Sequence, residues 1–185
     1  MACVSTLSGI TTSCGSNLPS IKKLWIGQFE SATFTYTETT DTASGETIKE
    51  NVTAAVLGTG ADKWVEFAFK KNTSELTSEL TVNDNGSHYY TNSVNLVFAK
   101  MDNSKRLAIE ATASGECSMI VLDNNGQYWL IGGEVAVTAT SMSATTGVAV
   151  GDSNQYSLTL SADEAQMPIV LDPTKVDTII AALTV

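Results

Sequence analysis

The stretch Lys63–Lys71, KWVEFAFKK, decides the fold class of this chain because apolar and other residues alternate along it. Val65, Phe67 and Phe69 fall on one side of an extended strand. The intervening residues, which begin with Trp64, fall on the other side. This alternation predicts a strand in a half-buried sheet, with Val65, Phe67 and Phe69 directed into the core.

Comparable strand patterns recur along the chain, and two of the connections carry the Asn-Gly signature of a tight hairpin, at 83–86 and 123–126. The other predicted strands are Ile21–Ile26, Thr33–Glu38, Val52–Leu57, Leu76–Val82, Tyr89–Lys100, Cys117–Leu122, Gln127–Ile131, Glu134–Met142, Gln155–Ser161 and Met167–Leu171. We therefore expect a mainly β protein, an antiparallel β-sandwich or barrel with one or two short flanking α-helices.

Two segments have helical rather than strand patterns. Asn103–Ser114 contains good helix formers, and Gly115 is placed to end this helix in the left-handed conformation. A second helix is expected to be capped by Asp172, to have Pro173 at its first position and to pack on the sheet. Its apolar stripe consists of Val176, Ile179, Ile180 and Leu183.

The chain of 185 residues is predicted to form one β-rich domain over residues 21–185, preceded by an arm over residues 1–20. The arm is rich in small, hydroxyl-bearing residues and contains scattered apolar side chains, which favour docking on another surface. Thr39–Glu50 is a long polar connection that we expect to project from the domain. If the flanking strands continue into it, the connection is a hairpin with Ser44 and Gly45 at its tip.

The charge of the chain limits its partners. The formal net charge is −10 and the isoelectric point is near 4.4, which argues against nucleic acid held through clustered Lys and Arg. The first twenty residues lack the basic and hydrophobic regions of a signal peptide, and no apolar stretch is long enough to span a bilayer. These features predict a soluble protein that folds inside the cell.

The sequence offers little catalytic equipment. His88 is its one histidine and lies beside a predicted turn. Cys3, Cys14 and Cys117 are too few and too irregularly spaced for a zinc site, and Cys117 is expected to be buried in a strand. No phosphate loop, nucleophile elbow or metal-ligand spacing is present. We therefore expect no enzymatic activity, no metal and no cofactor.

A glycosidase is the enzymatic alternative. Asp163 and Glu164 are adjacent carboxylates that suit a glycosidase, which also needs a cleft with aromatic platforms. Trp25, Trp64 and Trp129 lie on separate strands and are candidates for such platforms. Large aromatic residues in strands are more often part of the core.

The order of these parts resembles that of the major tail tube proteins of tailed bacteriophages, particularly long-tailed phages of Bacteroidetes-like hosts. A small-residue arm with two cysteines leads into IKKLWI, and a helix precedes CSMIVLDNNGQYWLIGG. QYSLTLSADEAQMP follows near the end. The resemblance covers most of the chain and is carried by the order of elements and by the stretches Asp123–Gly133 and Gly151–Pro168.

This resemblance implies a structural protein of the virion tail that is assembled in the cytoplasm of the bacterial host. Copies of the chain would close into rings, with six copies to a ring in the family, and the rings would stack into the tube through which DNA leaves the capsid. The partners implied are further copies, the tape-measure, tail-terminator and baseplate proteins, and DNA as a transient cargo that does not adhere. No membrane is involved.

The resemblance also gives the polar strand faces and projecting parts a role. An acidic lining would offer DNA no Lys–phosphate contacts. The candidate lumen-facing residues are Glu66, Glu75, Thr77, Glu79 and Thr81. The candidate contacts between rings are Leu7, Ile10, Leu18, Glu38, Asp41, Glu46 and Glu50. An ordinary solvated outer face has the same pattern as a lumen face, so both interpretations stay open.

Two other functions are compatible with the sequence. A neck, tail-terminator or head-decorating protein shares a β-sandwich and an acidic surface but forms a single ring or none. A carbohydrate-binding or adhesin-like sandwich is suggested by the abundance of Ser and Thr and by the three tryptophans.

Overall fold

The structure, a computed structural model, describes residue 10, residues 15–40 and residues 47–184. The strands are β1 Ile21–Gln28, β2 Ala32–Thr40, β3 Thr47–Leu57, β4 Val65–Phe67, β5 Glu75–Val82, β6 His88–Ala99, β7 Cys117–Asp123, β8 Tyr128–Ile131, β9 Thr138–Thr145, β10 Gln155–Glu164 and β11 Ile169–Leu171. The helices are α1 Asn103–Ser114, between β6 and β7, and α2 Val176–Thr184, after β11.

These strands form two sheets that pack face to face. The larger sheet has the order β2-β3-β11-β8-β7-β1-β4, and the smaller has the order β5-β6-β10-β9. Neighbouring strands are antiparallel except β3 and β11. The sheets do not close into a barrel. The predicted class, a mainly β sandwich with flanking helices, is confirmed.

One hydrophobic core fills the space between the two sheets. Leu24 of β1 and Met119 of β7 reach it from the larger sheet, while Leu96 of β6 and Leu158 of β10 reach it from the smaller. All four side chains are completely buried. Ile109 of α1 closes one side of this core.

A second core lies on the other face of the larger sheet, under α2. Trp25 of β1 and Ile120 of β7 point into it and pack with Ile179 and Leu183 of α2. The larger sheet is therefore covered on both faces, as strands with continuous apolar sequences require. This confirms that the apolar stripe of the C-terminal helix packs on the sheet.

The second core corrects the orientation predicted for KWVEFAFKK. Its strand β4 is short, and Phe67 and Phe69 do pack on the inter-sheet core. Trp64, expected to face outward, is buried under α2, whereas Val65, expected in the core, is 58% exposed at the sheet edge. A Cβ at position 27 would collide with the Trp64 indole, so Gly27 makes room for it. The alternation of the sequence correctly predicted the two sides of this strand, but it did not predict that other elements cover both faces of the sheet.

The helix ends also differ from expectation. The first helix has the predicted span and is capped by Asp102, whose side chain accepts from the Lys105 amide, but Gly115 is extended, with φ −107°. The second helix begins at Val176 rather than at Pro173. Asp172 instead holds a turn that precedes it, because its Oδ1 accepts from the amide of Thr174 at 2.9 Å.

The described residues of the predicted polar connection Thr39–Glu50 form the two strands of a hairpin. Strand β2 continues to Thr40 and strand β3 begins at Thr47, and the two pair in antiparallel register up to these residues. The predicted tip, Ser44 and Gly45, lies outside the described residues. The paired residues of this hairpin belong to the edge of the larger sheet.

Two other boundaries move. The predicted strand Glu134–Met142 begins later, at Thr138, and ends at Thr145; the residues before it form only a single bridge, from Val137 to Cys117.

Cys117 is a buried free thiol, as predicted, and burial raises its pKa to about 11. Cys3 and Cys14 lie outside the described residues.

The last residues of the predicted arm belong to the folded domain. The amide of Leu18 donates to Asn125 Oδ1 at 2.9 Å, and the side chain of Asn124 donates to the carbonyl of Pro19 at 2.6 Å. Both asparagines lie in the hairpin turn between β7 and β8, which the sequence predicted. The arm therefore leaves the domain beside this turn.

Because β7 is buried on both faces, shortening one of its side chains on the α2 side should destabilise the protein as strongly as shortening one in the inter-sheet core. We expect Ile120→Ala to lower the free energy of unfolding by about 2–5 kcal/mol. Val56→Ala, at an exposed position of β3, should cost less than about 0.5 kcal/mol. Urea unfolding followed by circular dichroism measures both. Equal small losses would contradict a core under α2.

Candidate assembly surface

The outer face of the smaller sheet is mostly polar. Alternation directs every second residue of β5, β6, β10 and β9 away from the inter-sheet core. The outward residues are Glu75, Thr77, Glu79, Thr81, Tyr89, Thr91, Ser93, Asn95, Val97, Ala99, Thr138, Ser141, Ser143, Thr145, Gln155, Ser157, Thr159, Ser161 and Asp163. Most carry short hydroxyl side chains.

Neighbouring strands are joined across this face by side-chain hydrogen bonds. The hydroxyls of Thr77 and Ser93 lie 2.7 Å apart, and Thr91 donates to Asp163 Oδ1 at 2.6 Å. On the far side, Ser141 donates to Thr159 at 3.1 Å. Paired hydroxyls of this kind contribute to sheet stability and hold the side chains close to the sheet. Few side chains therefore project far from the sheet on this face.

The electrostatic character of this face is negative. None of the four strands contains a Lys or Arg, whereas Glu75, Glu79 and Asp163 all point outward. A polyanion needs cations to replace its counterions, so this face attracts no phosphate backbone.

Among the described residues, neither edge strand of the smaller sheet has an outer partner; β5 lies at one edge and β9 at the other. Strand β9, TATSMSAT, contains no charged residue and no proline, and Met142 is exposed on it. Natural sheets usually protect such edges with charges, proline or a covering element. Strand β9 has neither a charged residue nor a proline; α1 contacts it, but every residue from Thr140 to Thr145 is exposed.

The structure brings together four of the five predicted lumen residues. Glu75, Thr77, Glu79 and Thr81 line the outward side of β5. Glu66 lies elsewhere, on β4 opposite Trp25, and so faces the α2 side of the larger sheet. There it forms an ion pair with Lys23 at 3.2 Å. Glu66 is thus on the opposite outer layer of the sandwich.

The predicted contacts between rings fall at separate places. Glu38 and Glu50 are exposed near the far end of the β2–β3 hairpin, where Glu50 accepts a hydrogen bond from Thr39 at 2.5 Å. Leu18 is exposed beside the β7–β8 turn, and Ile10 is fully exposed. Leu7, Asp41 and Glu46 lie outside the described residues.

The carboxylates of Asp163 and Glu164 do not form a pair. They are adjacent in β10 and therefore point to opposite faces of the smaller sheet. Asp163 is exposed, whereas Glu164 continues the inward series that contains Leu160 and Ala162. The same alternation in the sequence predicts this inward position, which the sequence interpretation missed. The paired-carboxylate arrangement of a glycosidase is absent at this position.

Glu164 instead joins the two sheets at one end of the sandwich. Its Oε2 accepts from Asn92 Nδ2 of β6 at 2.7 Å, and its Oε1 accepts from the amide of Gly132, after β8, at 3.0 Å. Burial raises the pKa of Glu164, and the hydrogen bonds from Asn92, Gly132 and Gly133 and the charge of Lys49 oppose this rise. The carboxyl group is a polar link between the layers.

A small cavity of about 90 Å³ lies beside this link, between Tyr36, Glu164 and the segment that follows β8. The Tyr36 hydroxyl is buried and has no hydrogen-bond partner among the described residues. Burial, followed by the charge of Glu164, raises the pKa of Tyr36 to about 12. Lys49 covers the Tyr36 ring at 4.3 Å and pairs with Glu134. This cluster anchors the base of the β2–β3 hairpin.

The three tryptophans do not form exposed platforms. Trp25 and Trp64 are buried under α2, where Trp25 stacks on Tyr128 with ring centroids 6.0 Å apart. Trp129 is partly buried and its indole donates to Asp123 Oδ2 at 3.2 Å. These positions remove one of the two features that suggested a carbohydrate-binding module, the three tryptophans, and leave the abundance of Ser and Thr.

Within residues 15–40 and 47–184 no group of His, Cys, Asp and Glu is arranged to hold a metal ion. None of the described helices is both long and apolar enough to cross a membrane. The chain matches no protein-family model, no curated protein and no solved structure.

The buried position of Glu164 should make stability depend on pH. Because its folded pKa is raised above the ordinary 4.5, its protonated form stabilises the fold below that pH, and this contribution is lost as pH rises through the raised pKa. Urea unfolding between about pH 4 and pH 8 should therefore show wild type losing stability relative to Glu164→Gln.

Asp163→Asn is the matched control, since it neutralises the adjacent carboxylate on the exposed face. Its stability difference from wild type should lack this fall between pH 4.5 and neutrality. A difference between wild type and Glu164→Gln that stays constant with pH would show that the Glu164 carboxyl group is not shielded from water.

Proposed function

We propose that this chain is a structural protein of a bacteriophage tail tube, which assembles into stacked rings around a channel for DNA. One observation carries the proposal: the smaller sheet combines two unpaired edges with an outer face that is rich in hydroxyls and carboxylates and free of Lys and Arg. The order of sequence elements, which resembles that of tail tube proteins, supports the same function.

Ring closure follows from the two free edges. Strand β5 of one copy pairs with β9 of the next, so the four-stranded sheet continues from subunit to subunit. The two edges differ in sequence, which makes the interface heterologous, and such an interface closes into a ring when the rotation between copies permits. Backbone hydrogen bonds that each isolated copy leaves to water then join neighbouring subunits.

The channel lining follows from the same arrangement. When the smaller sheets of a ring join edge to edge, their outer faces form one continuous inner wall. Glu75, Glu79 and Asp163 repeat around this wall among Ser and Thr hydroxyls. Each Lys or Arg that contacts a phosphate deepens the binding of DNA, so a wall without them lets DNA pass without adhering.

The β2–β3 hairpin, at one edge of the larger sheet, and the N-terminal arm are candidates for additional contacts between rings. Lys49, Tyr36 and Glu134 fix the base of the hairpin to the larger sheet. The tape-measure protein would occupy the channel during assembly, and the tail-terminator and baseplate proteins would contact the two ends of the stack. The protein would be assembled in the host cytoplasm and reside in the virion tail, and it needs no cofactor.

Blocking the edge of β9 should prevent ring formation. Ser141 and Ser143 are exposed on this strand, and the double variant Ser141→Lys/Ser143→Lys places two charges there. We expect the variant to remain folded and monomeric at concentrations at which wild type forms rings, as judged by sedimentation velocity and negative-stain microscopy.

The matched control is Thr33→Lys/Thr35→Lys, which places the same charges on β2, the edge of the larger sheet. It should form rings as wild type does. Rings from the β9 variant would exclude this edge from the interface. Wild-type protein that stays monomeric at high concentration would contradict the proposed function, and single rings that never stack would favour a neck or terminator protein.

The charge of the channel wall is tested by reversing it. Tubes of Glu75→Lys/Glu79→Lys that assemble in the presence of a linear duplex should retain DNA that is protected from nuclease, whereas wild-type tubes should retain little. This retention should fall steeply as salt is raised, because it depends on counterion release.

Glu66→Lys/Asp177→Lys provides the control, because both residues lie on the α2 side of the larger sheet. DNA bound by tubes of this control variant should remain accessible to nuclease. If both variants protect equal amounts of DNA, the outer face of the smaller sheet is not the channel wall.

A further inference from the structure

The loop between β9 and β10, residues 146–154, presents two apolar side chains entirely to solvent. Val148 and Val150 are 103% and 109% exposed, so neither is covered by any part of the described chain. Single exposed apolar residues are common on protein surfaces, but two valines at the tip of one loop form a small apolar protrusion. We refer to this pair as the valine tip.

The loop that carries the valine tip is held by internal hydrogen bonds. The carboxylate of Asp152 accepts from the amides of Val148 and Ala149, both at 2.8 Å, and these bonds lower its pKa. Gly147 has φ +71°, a conformation that favours glycine, and its amide donates to Thr145 Oγ1 at 3.2 Å. The loop geometry thus directs the valines outward in a defined conformation.

A groove with exposed apolar residues lies at the other end of the smaller sheet. Its apolar lining includes Ile48 of β3, Tyr90 of β6, and Met167 and Ile169 at β11, and its polar lining consists of Lys49, Glu50, His88 and Gln166. Leu80 and Val82 of β5 extend the same apolar surface, because they pair with Tyr90 and His88 and so share their face of the sheet. Ile48, Met167, Leu80 and Val82 are all exposed.

The valine tip and the groove are at opposite ends of the same strand. Strand β10 begins at Gln155, next to the loop, and ends at Glu164, three residues before Met167. Ten extended residues span about 30 Å. A protrusion at one end and a groove at the other is the arrangement that a head-to-tail contact between copies requires.

We infer that the valine tip of one copy docks into the groove of a second copy in the next ring, and that this contact stacks the rings. The inference rests on the proposed function and adds to it the two surfaces that meet. Since the contact joins different surfaces of the two copies, it leaves a free tip at one end of the stack and a free groove at the other, which permits continued growth.

The size of the contact argues for a copy of this chain within a ring as the partner. Two valines bury at most a few hundred Å², well below the roughly 1,200 Å² of a stable complex between two free proteins. Repetition around a ring converts several weak contacts into one strong association. The contact is therefore suited to stacking assembled rings and too small to hold an isolated pair.

Paired variants of the two surfaces test this inference. Val148→Ser/Val150→Ser removes the tip, and Ile48→Ser/Met167→Ser removes apolar side chains from the groove without touching the ring edges β5 and β9. We expect each variant to form rings but to need a concentration at least about tenfold higher than wild type to form stacks. Val56→Ser/Leu107→Ser, at two exposed positions elsewhere, should stack like wild type.

Mixing the two variants gives a sharper result. Rings that lack the tip keep an intact groove, and rings that lack apolar groove residues keep an intact tip. An equimolar mixture should therefore form pairs of rings and no longer stacks, which electron microscopy and sedimentation velocity distinguish. Either variant alone should give single rings under the same conditions.

The outcomes separate this inference from the proposed function. If wild type forms tubes and the tip variant forms tubes of the same length, the valine tip does not stack the rings although the proposed function stands. If deleting residues 1–14 abolishes stacking and the tip variant does not, the arm and not the valine tip stacks the rings, and the inference is overturned. If wild type forms no rings, the proposed function itself fails.

Discussion

The burial of β7 on both faces is the constraint on which the rest of the structure depends. Met119 and Val121 of this strand point into the core between the sheets, while Ile120 and Leu122 point under α2. A strand of this kind requires a layer on each side, because either face left in water would expose several large apolar side chains. The smaller sheet and the C-terminal helix are therefore both necessary to the fold.

This layering leaves the smaller sheet with only one face to bury. Its inner residues complete the core, so its outer residues are free to be polar, and most of them are hydroxyl-bearing or acidic. At the end of β10 the inward position holds Glu164 rather than an apolar residue, and its hydrogen bonds to Asn92 and Gly132 tie the two layers together. The apolar core gives the sandwich its stability, and this polar link fixes how its layers meet at one end.

The proposed assembly depends on surfaces that folding leaves unused. Both edges of the smaller sheet, its polar outer face and two apolar sites at opposite ends remain after the cores are complete. The carboxyl group of Glu164 and Tyr36 form a small cluster at the base of a hairpin. The distribution of the unused surfaces along and across one sheet fits growth of a polymer in two directions, around a ring and along a stack.

The sequence by itself determined the mainly β class, the span of α1, the two Asn-Gly turns and the alternation that groups Glu75, Thr77, Glu79 and Thr81, because these depend on residues near one another in the chain. Only the tertiary structure decided that Trp64 is buried while Val65 is exposed, that Glu66 lies apart from Glu75, and that Glu164 meets Gly132. Local patterns define the two sides of a strand, but which sides are covered depends on which distant elements pack there. Strand order and the position of α2 arise from such long-range contacts, so no pattern along the chain specifies them alone.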